Sequence, residues 1–173
     1  VDNYQEPNTP PHLSLVDNVR KGIDLVRGQI GDALIFIMED DDWYAPDYLA
    51  YMSHLLARHD LVGEGRALYY NVRERTWMNC GNTSHASLCA TAWFDPEAGP
   101  EIDRAIKGCL AHVGGKFLDL TIWRTIEGHV SLEDKRRCIG IKGLPGLRGI
   151  GIGHREMRNV DPDLELLESL IGE

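Results

Sequence analysis

Four consecutive acidic residues are the feature of this sequence with the clearest chemical meaning: Glu39, Asp40, Asp41 and Asp42. Crowded carboxylates repel one another, and a bound divalent cation relieves that repulsion. Alternation along a strand or tight turn pairs Glu39 with Asp41 and Asp40 with Asp42. Each acid-x-acid pair can hold Mg²⁺ or Mn²⁺ while leaving coordination positions open for phosphate oxygens. The alternative is a solvated acidic turn that caps the next helix.

The residues on either side of the acids predict how the acids are held. Residues 33–38 are apolar throughout, which is typical of a strand buried on both faces in a parallel sheet. Ligands bind at the carboxyl ends of such strands, so this position favours the metal site over the solvated turn. Amphipathic helices are predicted on both sides, at residues 14–27 with Ser14 as the N-cap, and at residues 47–58.

The spacing of these elements predicts the fold class. The chain has 173 residues, enough for a single domain over residues 1–173. A buried strand between two amphipathic helices predicts an α/β fold with a mixed, mainly parallel central sheet flanked by helices. Further elements are expected along the rest of the chain: a strand pair at 67–72 and 76–78, a strand at 87–94, and helices at 101–112, 117–126 and 161–171.

Composition and charge exclude several classes of protein. The net charge of −9 argues against a nucleic-acid partner, although a metal ion can still bridge the chain to a small phosphate-bearing ligand. No apolar stretch approaches the roughly 20 residues of a membrane span, and no signal peptide is visible. The four cysteines lack C-x-x-C spacing, so we expect reduced, buried thiols in a cytoplasmic protein.

A glycine-rich segment at residues 140–153 leads directly to His154 and Arg155. It lacks the G-K-[ST] of a P-loop and the third glycine of a dinucleotide fingerprint. We expect a mobile lid in which Lys142 and Arg148 reach phosphate groups, and in which Arg155 is also suited to meeting a diphosphate. The alternative is an ordinary surface loop.

Aromatic residues beside the acids are candidates for contacts with a sugar or a nucleobase. Trp43 and Tyr44 follow the acids directly and are predicted to stack on such a ligand. Trp77 and Trp93 are expected to lie in the hydrophobic core instead.

The acidic run and its surroundings resemble the D-x-D region of family 2 glycosyltransferases with the GT-A fold. Residues 35–49 read I-F-I-M-E-D-D-D-W-Y-A-P-D-Y-L. In that family an apolar strand ends in several acids, followed by an aromatic residue, a proline and a Y-L helix. The resemblance implies a metal-dependent transfer of a sugar, with inversion, from a nucleotide-diphosphate donor to an acceptor hydroxyl. By their positions in the family's acidic string, Asp41 and Asp42 are assigned as metal ligands. Glu39 and Asp40 are assigned as contacts to the nucleotide-sugar donor.

Two later segments extend the resemblance. Residues 117–119 read F-L-D and are followed by Trp123 and Arg124, which resembles the family's acidic E-D…W-R segment and implies that Asp119 is the general base. His154 lies where many GT-A enzymes carry a late histidine that completes the metal ligands. The alternatives are an acid on a helix surface and a histidine in a surface loop.

The chain also departs from the family pattern. The first β-α unit of the family has no counterpart before Val1, and residues 1–3 resemble the end of the second strand, where relatives read V-D-D-G. Asp2 would then correspond to a nucleotide-contacting aspartate. Without the first β-α unit the nucleoside pocket would lack one wall, and pairing of the exposed sheet edge in a homo-oligomer would restore that wall. Glu39 replaces the usual first aspartate.

Two other functions compete with this interpretation. A metal-dependent nucleotidyl- or phosphotransferase also places carboxylates at a strand end, but the W-Y-x-P-x-Y-L continuation at residues 43–49 disfavours it. The second alternative is a non-catalytic remnant of such an enzyme that binds a sugar, a nucleotide or a partner protein.

Overall fold

The computed structural model describes residues 11–111, 117–128, 130–144 and 157–171. The helices in this part of the chain are α1 (Pro11–Gln29), α2 (Tyr48–Leu56), α3 (Asp95–Leu110), α4 (Leu118–Thr125) and α5 (Glu165–Ile171). The strands are β1 (Leu34–Phe36), β2 (Trp43–Tyr44), β3 (Leu61–Glu64), β4 (Leu68–Asn71), β5 (Thr76–Asn79), β6 (Thr91–Phe94), β7 (Val130–Glu133), β8 (Cys138–Lys142) and β9 (Asn159–Val160). A short 3₁₀ helix, Leu88–Ala90, leads into β6.

The two helices predicted around the acidic run are confirmed. Helix α1 begins at Pro11, so Ser14 lies inside the helix and is not its N-cap. Proline suits a first helical position because its fixed φ is already helical and its missing N–H would have no partner there. Helix α2 buries Tyr48, Met52 and Leu56 on the face towards the core.

The strands form two mixed sheets. The first has the order β1-β6-β3-β7, in which β3 and β7 are parallel and the other neighbours are antiparallel. The second has the order β2-β8-β4-β5-β9, in which only β4 and β8 are parallel. The prediction of an α/β protein is therefore confirmed at the level of its class, but the prediction of one mainly parallel central sheet is wrong.

The position of β1 explains that error. β1 lies at the end of the first sheet in the described part of the chain, and its one neighbour, β6, runs antiparallel to it. Only Ile35 is buried in this strand, whereas Leu34 is 40% exposed. An apolar run therefore marked a strand but did not determine its partner or its direction, since those depend on segments far away in the sequence.

Each sheet has its own hydrophobic core. The larger core contains Ile35, Met52, Leu61 and Trp93 and joins α1, α2, α3 and α4 to the first sheet. The smaller one is built on the second sheet around three buried residues, Leu68, Tyr70 and Ile139. The predicted core position of Trp93 is confirmed, while Trp77 is half-buried against the smaller core.

The strand pair predicted at 67–78 is confirmed as the hairpin of β4 and β5. Its turn is fixed by Asn71, whose Oδ1 accepts hydrogen bonds from the backbone N–H groups of Arg73 and Glu74 at 3.1 and 3.0 Å. Asparagine commonly makes this local turn, a signal that the sequence prediction did not use.

Helices α1 and α3 are tied together by a cluster of ion pairs, here called the Arg27 cluster (Arg27, Asp95 and Asp103). Arg27 Nε and Nη2 donate to the two carboxylate oxygens of Asp95 at 2.6 and 2.9 Å, and Nη1 donates to Asp103 at 2.9 Å. Trp93 Nε1 also donates to Asp95, at 3.0 Å. Burial alone would raise the pKa of Asp95, but these donors outweigh it and hold that pKa below its usual range.

All four cysteines lie in the described part of the chain and none is disulfide-bonded, as expected. No helix of that part is both long enough and apolar enough to cross a bilayer.

Candidate functional site

The acidic run forms the connection between the two sheets. β1 belongs to the first sheet and β2 to the second, and residues 37–42 join them. The N–H of Ile37 donates to the carbonyl of Thr91 at 3.1 Å, which anchors the start of this connection to the beginning of β6. β2 then pairs with β8, so the acids end beside Lys142 at the end of β8.

The acids lie in a reverse turn, one of the two geometries, a strand or a tight turn, that the sequence predicted for them. The N–H of Asp42 donates to the carbonyl of Glu39 at 3.4 Å, which brings the first and fourth residues of the run together. Tyr44 fixes this turn: its hydroxyl oxygen accepts from the N–H of Glu39 at 2.9 Å, and its O–H donates to the carbonyl of Cys89 at 3.1 Å. Tyr44 therefore supports the acids, whereas its predicted stacking on a ligand stays a prediction.

Three of the four acids converge. Carboxylate oxygens of Glu39, Asp41 and Asp42 lie within 4.8 Å of one another, and Asp40 is not a member of this group. An octahedral Mg²⁺ at about 2.1 Å from each ligand holds neighbouring ligand oxygens about 3 Å apart and opposite ones about 4 Å apart. The three carboxylates, hereafter the acidic group, therefore have spacing that a divalent ion can use with small side-chain adjustments.

Asp42 is the member of the acidic group that the fold fixes most firmly. Its side chain has 0% exposure. Its Oδ1 accepts hydrogen bonds from the N–H of Ile141 at 2.9 Å and from the ammonium of Lys142 at 3.5 Å. Its Oδ2 is buried and has no hydrogen-bond partner among the described residues. A buried carboxylate oxygen without a donor is costly, and a cation at this position would compensate it.

The electrostatics of the site show an excess of negative charge. Although Glu39 as a residue is exposed, desolvation of its carboxyl group and the charge of Asp42 raise its pKa. Desolvation lowers the pKa of Lys142, but the carboxylates of Asp42, Glu39 and Asp41 outweigh that effect and the net shift is upward. Lys142 therefore stays protonated, and its single positive charge faces three carboxylates.

Two cysteine thiols lie behind the acidic group. Cys89 precedes β6 and Cys138 begins β8, and their Sγ atoms lie within 4.8 Å of each other and of an Asp42 carboxylate oxygen. Sequence analysis missed this arrangement because the two cysteines are 49 residues apart, and no local spacing indicated that they meet.

Asp119 lies in the first turn of α4, where its Oδ1 accepts a hydrogen bond from the N–H of Leu120 at 2.7 Å. Further along the same helix, Trp123 Nε1 donates to Oγ1 of Thr91 at 3.2 Å. The carbonyl oxygen of Thr91 also accepts a hydrogen bond from the N–H of Ile37. Helix α4 and the start of the segment 37–42 therefore both contact Thr91. Asp119 is not a member of the acidic group, and its assignment as a base stays a prediction.

The remaining predicted site residues have different outcomes. Lys142 is brought to the acidic group, and Asp40 is exposed at the outer side of the turn. Four of the residues assigned from the sequence lie outside the described residues: Asp2, Arg148, His154 and Arg155. The predicted glycine-rich lid lies outside them too, apart from residues 140–144.

Comparisons with protein-family models, with curated proteins and with solved structures each find no match to this chain. The function must therefore be inferred from the geometry of these side chains and from the sequence resemblance around the acidic run.

Proposed function

We propose that this chain is the catalytic part of a metal-dependent glycosyltransferase that transfers a sugar, with inversion, from a nucleotide-diphosphate donor to an acceptor hydroxyl. The observation that carries the proposal is the acidic group, in which one buried carboxylate oxygen of Asp42 receives no hydrogen bond from residues 11–111, 117–128, 130–144 or 157–171. The sequence at residues 43–49 supports a sugar-transferring enzyme over a nucleotidyl- or phosphotransferase, because it continues the acids as W-Y-A-P-D-Y-L.

The chemistry of a diphosphate leaving group fits these residues. Mn²⁺ or Mg²⁺ held by Glu39, Asp41 and Asp42 would act as a Lewis acid and neutralise the charge that develops on the nucleoside diphosphate. The Lys142 ammonium, 10% exposed and adjacent to Asp42, would form a charge-assisted hydrogen bond to a phosphate oxygen. A low exposure strengthens that contact, since water competes less for the ammonium.

The other roles rest on the resemblance alone. Asp119 would accept the proton of the attacking hydroxyl, and His154 would complete the metal ligands. Asp2, Arg148 and Arg155 would contact the donor, as would Asp40. The partners are then a nucleotide sugar and a hydroxyl-bearing acceptor in the cytoplasm, without nucleic acid. A second copy of the chain would pair along the sheet edge formed by the strand that ends at Asp2, which lies outside the described residues.

Metal binding by the acidic group is the first property to test. Thermal unfolding would be measured with Mn²⁺ alone, and then with Mn²⁺ and a panel of nucleoside diphosphates and nucleotide sugars. An ion at about 100 times its Kd stabilises the native state by about 2.7 kcal/mol. The double variant Asp41→Asn/Asp42→Asn should lose this stabilisation, and with it any Mn²⁺-dependent binding of a nucleotide.

Asp40→Asn is the matched control, because Asp40 belongs to the same run but not to the acidic group. It should keep at least most of the Mn²⁺ shift. If the double variant keeps the full shift, the metal binds elsewhere and the proposed function loses its main support.

Turnover then separates an enzyme from a binding protein. With a donor identified by thermal shift, Asp119→Asn should reduce turnover by roughly 10²–10⁴-fold, the usual contribution of a general base, and leave nucleotide affinity nearly unchanged. Donor binding without any turnover in the wild-type chain would favour the non-catalytic alternative.

A further inference from the structure

Three potential metal ligands meet at the junction of the two sheets: Asp42, Cys89 and Cys138, here called the thiol–carboxylate cluster. One ligand atom of each lies within 4.8 Å of the other two. Both cysteines are 5% exposed, and the Asp42 side chain has 0% exposure. The cluster shares Asp42 with the acidic group but otherwise uses residues that the proposed function does not require.

The three residues are placed by different elements that the fold holds rigidly. Asp42 ends the turn between β1 and β2, Cys89 lies in the 3₁₀ helix before β6, and Cys138 begins β8. The backbone N–H of Cys138 donates to Oε2 of the buried Glu64 at 2.9 Å, which holds the backbone of Cys138 in place. Ligands fixed by separate rigid elements need little reorganisation to receive an ion.

Two further observations point to a ligand inside this cluster. Within the described part of the chain, the buried Oδ2 of Asp42 has no hydrogen-bond partner. The Cys138 thiol contacts the Cys89 thiol, and its Sγ lies a long 3.9 Å from the carbonyl oxygen of Cys89. Buried polar atoms are satisfied in most proteins, so an unpartnered carboxylate oxygen beside two thiols indicates an absent positive partner.

We propose that the thiol–carboxylate cluster binds a thiophilic divalent ion such as Zn²⁺ through Cys89, Cys138 and Asp42. Tetrahedral Zn²⁺, with Zn–S of about 2.3 Å and Zn–O of about 2.0–2.2 Å, holds its ligand atoms about 3.5–3.8 Å apart, within the span of this cluster. Two S–H bonds break, two Zn–S bonds form, and both protons leave to solvent.

The shared residue makes the two ions mutually exclusive. Thiolates select Zn²⁺, while carboxylates alone suit Mn²⁺ and Mg²⁺. The carboxylate of Asp42 cannot coordinate both ions at full strength. Zn²⁺ in the thiol–carboxylate cluster should therefore weaken Mn²⁺ binding at the acidic group by about tenfold or more. This exclusion rests on the proposed function, whereas binding of Zn²⁺ by the thiols does not.

Co²⁺ provides the direct test, because a Co²⁺–thiolate bond absorbs in the near ultraviolet and Co²⁺ replaces Zn²⁺ in tetrahedral sites. The full chain, with its thiols kept reduced, would be titrated with Co²⁺ alone. We expect a charge-transfer band that saturates at one equivalent and disappears on addition of Zn²⁺. The band should be absent in Cys89→Ala and in Cys138→Ala.

Cys109→Ala is the matched control, because Cys109 is equally buried, at 2% exposure, and is not in the cluster. It should retain the band. Asp42→Asn, which leaves both thiols in place, should weaken Co²⁺ binding by about 10–100-fold while the band remains visible at high Co²⁺. The proposal would be overturned if the wild-type chain showed no band, or if the band survived in the double variant Cys89→Ala/Cys138→Ala.

The failures of the two proposals are distinguishable. Loss of the Mn²⁺ thermal shift in Asp41→Asn/Asp42→Asn, together with its retention in Cys89→Ala/Cys138→Ala, supports the acidic group whatever Co²⁺ does. In the same double cysteine variant, Zn²⁺ should no longer weaken Mn²⁺ binding. If Zn²⁺ still competes there as strongly as in the wild type, the ion uses the carboxylates and the thiol site is wrong.

Discussion

The acidic group and the Arg27 cluster are built from similar residues but differ in how their charges are matched. In the Arg27 cluster one guanidinium meets two carboxylates, and Trp93 adds a further donor to Asp95. In the acidic group one ammonium meets three carboxylates, and no donor in the part of the chain that the structure describes reaches the buried Oδ2 of Asp42. The Arg27 cluster is satisfied by donors of the chain itself, whereas the acidic group would be completed by the metal ion proposed above.

The difference separates an ion-pair cluster that stabilises the fold from a set of carboxylates whose excess negative charge the proposed metal ion would compensate. An ion pair whose donors and acceptors are matched fixes the packing of two elements, here α1 and α3. Several neighbouring carboxylates with too few positive partners repel one another and destabilise the unliganded protein. Natural proteins retain such sets of carboxylates mainly at functional sites. Each prediction below changes one side of this comparison.

The largest effect is expected from breaking the Arg27 cluster. Arg27→Met should lower the free energy of unfolding by about 3–5 kcal/mol, because it leaves the carboxylate of Asp95, 8% exposed, without its charge partner. The measurement is chemical denaturation without metal. Arg20→Met is the control, since Arg20 pairs with Asp17 and Asp24 on the exposed side of the same helix and should change stability by less than about 1 kcal/mol. Equal effects of the two substitutions would contradict a structural role for the cluster.

A smaller effect is expected at Asp161, a carboxylate satisfied by hydrogen bonds alone. Its oxygens accept from the N–H groups of Leu166 and Leu167 at 3.1 and 3.2 Å and from the Tyr70 hydroxyl at 2.8 Å. Asp161→Ala should therefore cost about 1–2 kcal/mol of stability, as the loss of a helix cap does. Asp163→Ala, an exposed neighbour, should be nearly neutral.

The effect of Asp161 should also depend on pH. Burial raises the pKa of Asp161, but its hydrogen bonds to the backbone of Leu166 and to Tyr70 outweigh burial, and the net pKa is lowered. A lowered folded pKa contributes stability that is present above the unfolded value of about 4 and is lost as the pH falls through the folded value. The difference in melting temperature between the wild type and Asp161→Ala should therefore shrink below pH about 4, and a constant difference would contradict this account.

The smallest effect, and the one of opposite sign, is expected at Asp41. Asp41→Asn relieves repulsion within the acidic group and should raise the stability of the metal-free protein by about 0.5 kcal/mol, while reducing the Mn²⁺ shift. Asp103→Asn makes the same chemical change in the Arg27 cluster and should lower stability by about 0.5–1 kcal/mol, because it removes a bond to Arg27. If both changes shift unfolding in the same direction, the distinction between the two clusters is wrong.

The sequence by itself determined the elements that local spacing controls. The helical periodicity of α1 and α2 and the hairpin of β4 and β5 were recognisable, because each depends on residues close together in the chain. The acids were also identifiable as a candidate site, since four adjacent carboxylates need an explanation wherever they lie.

Tertiary structure decided which of those acids act together and what lies beside them. Asp42 is buried because Ile141, 99 residues later, donates to its carboxylate, and the turn that separates Asp40 from the other acids is fixed by Tyr44. The pairing of Cys89 with Cys138 and the antiparallel neighbour of β1 are likewise contacts between distant segments. Such contacts form when sheets and helices bury their apolar faces against one another, and the periodicity of a single segment carries no information about which distant segment it will meet.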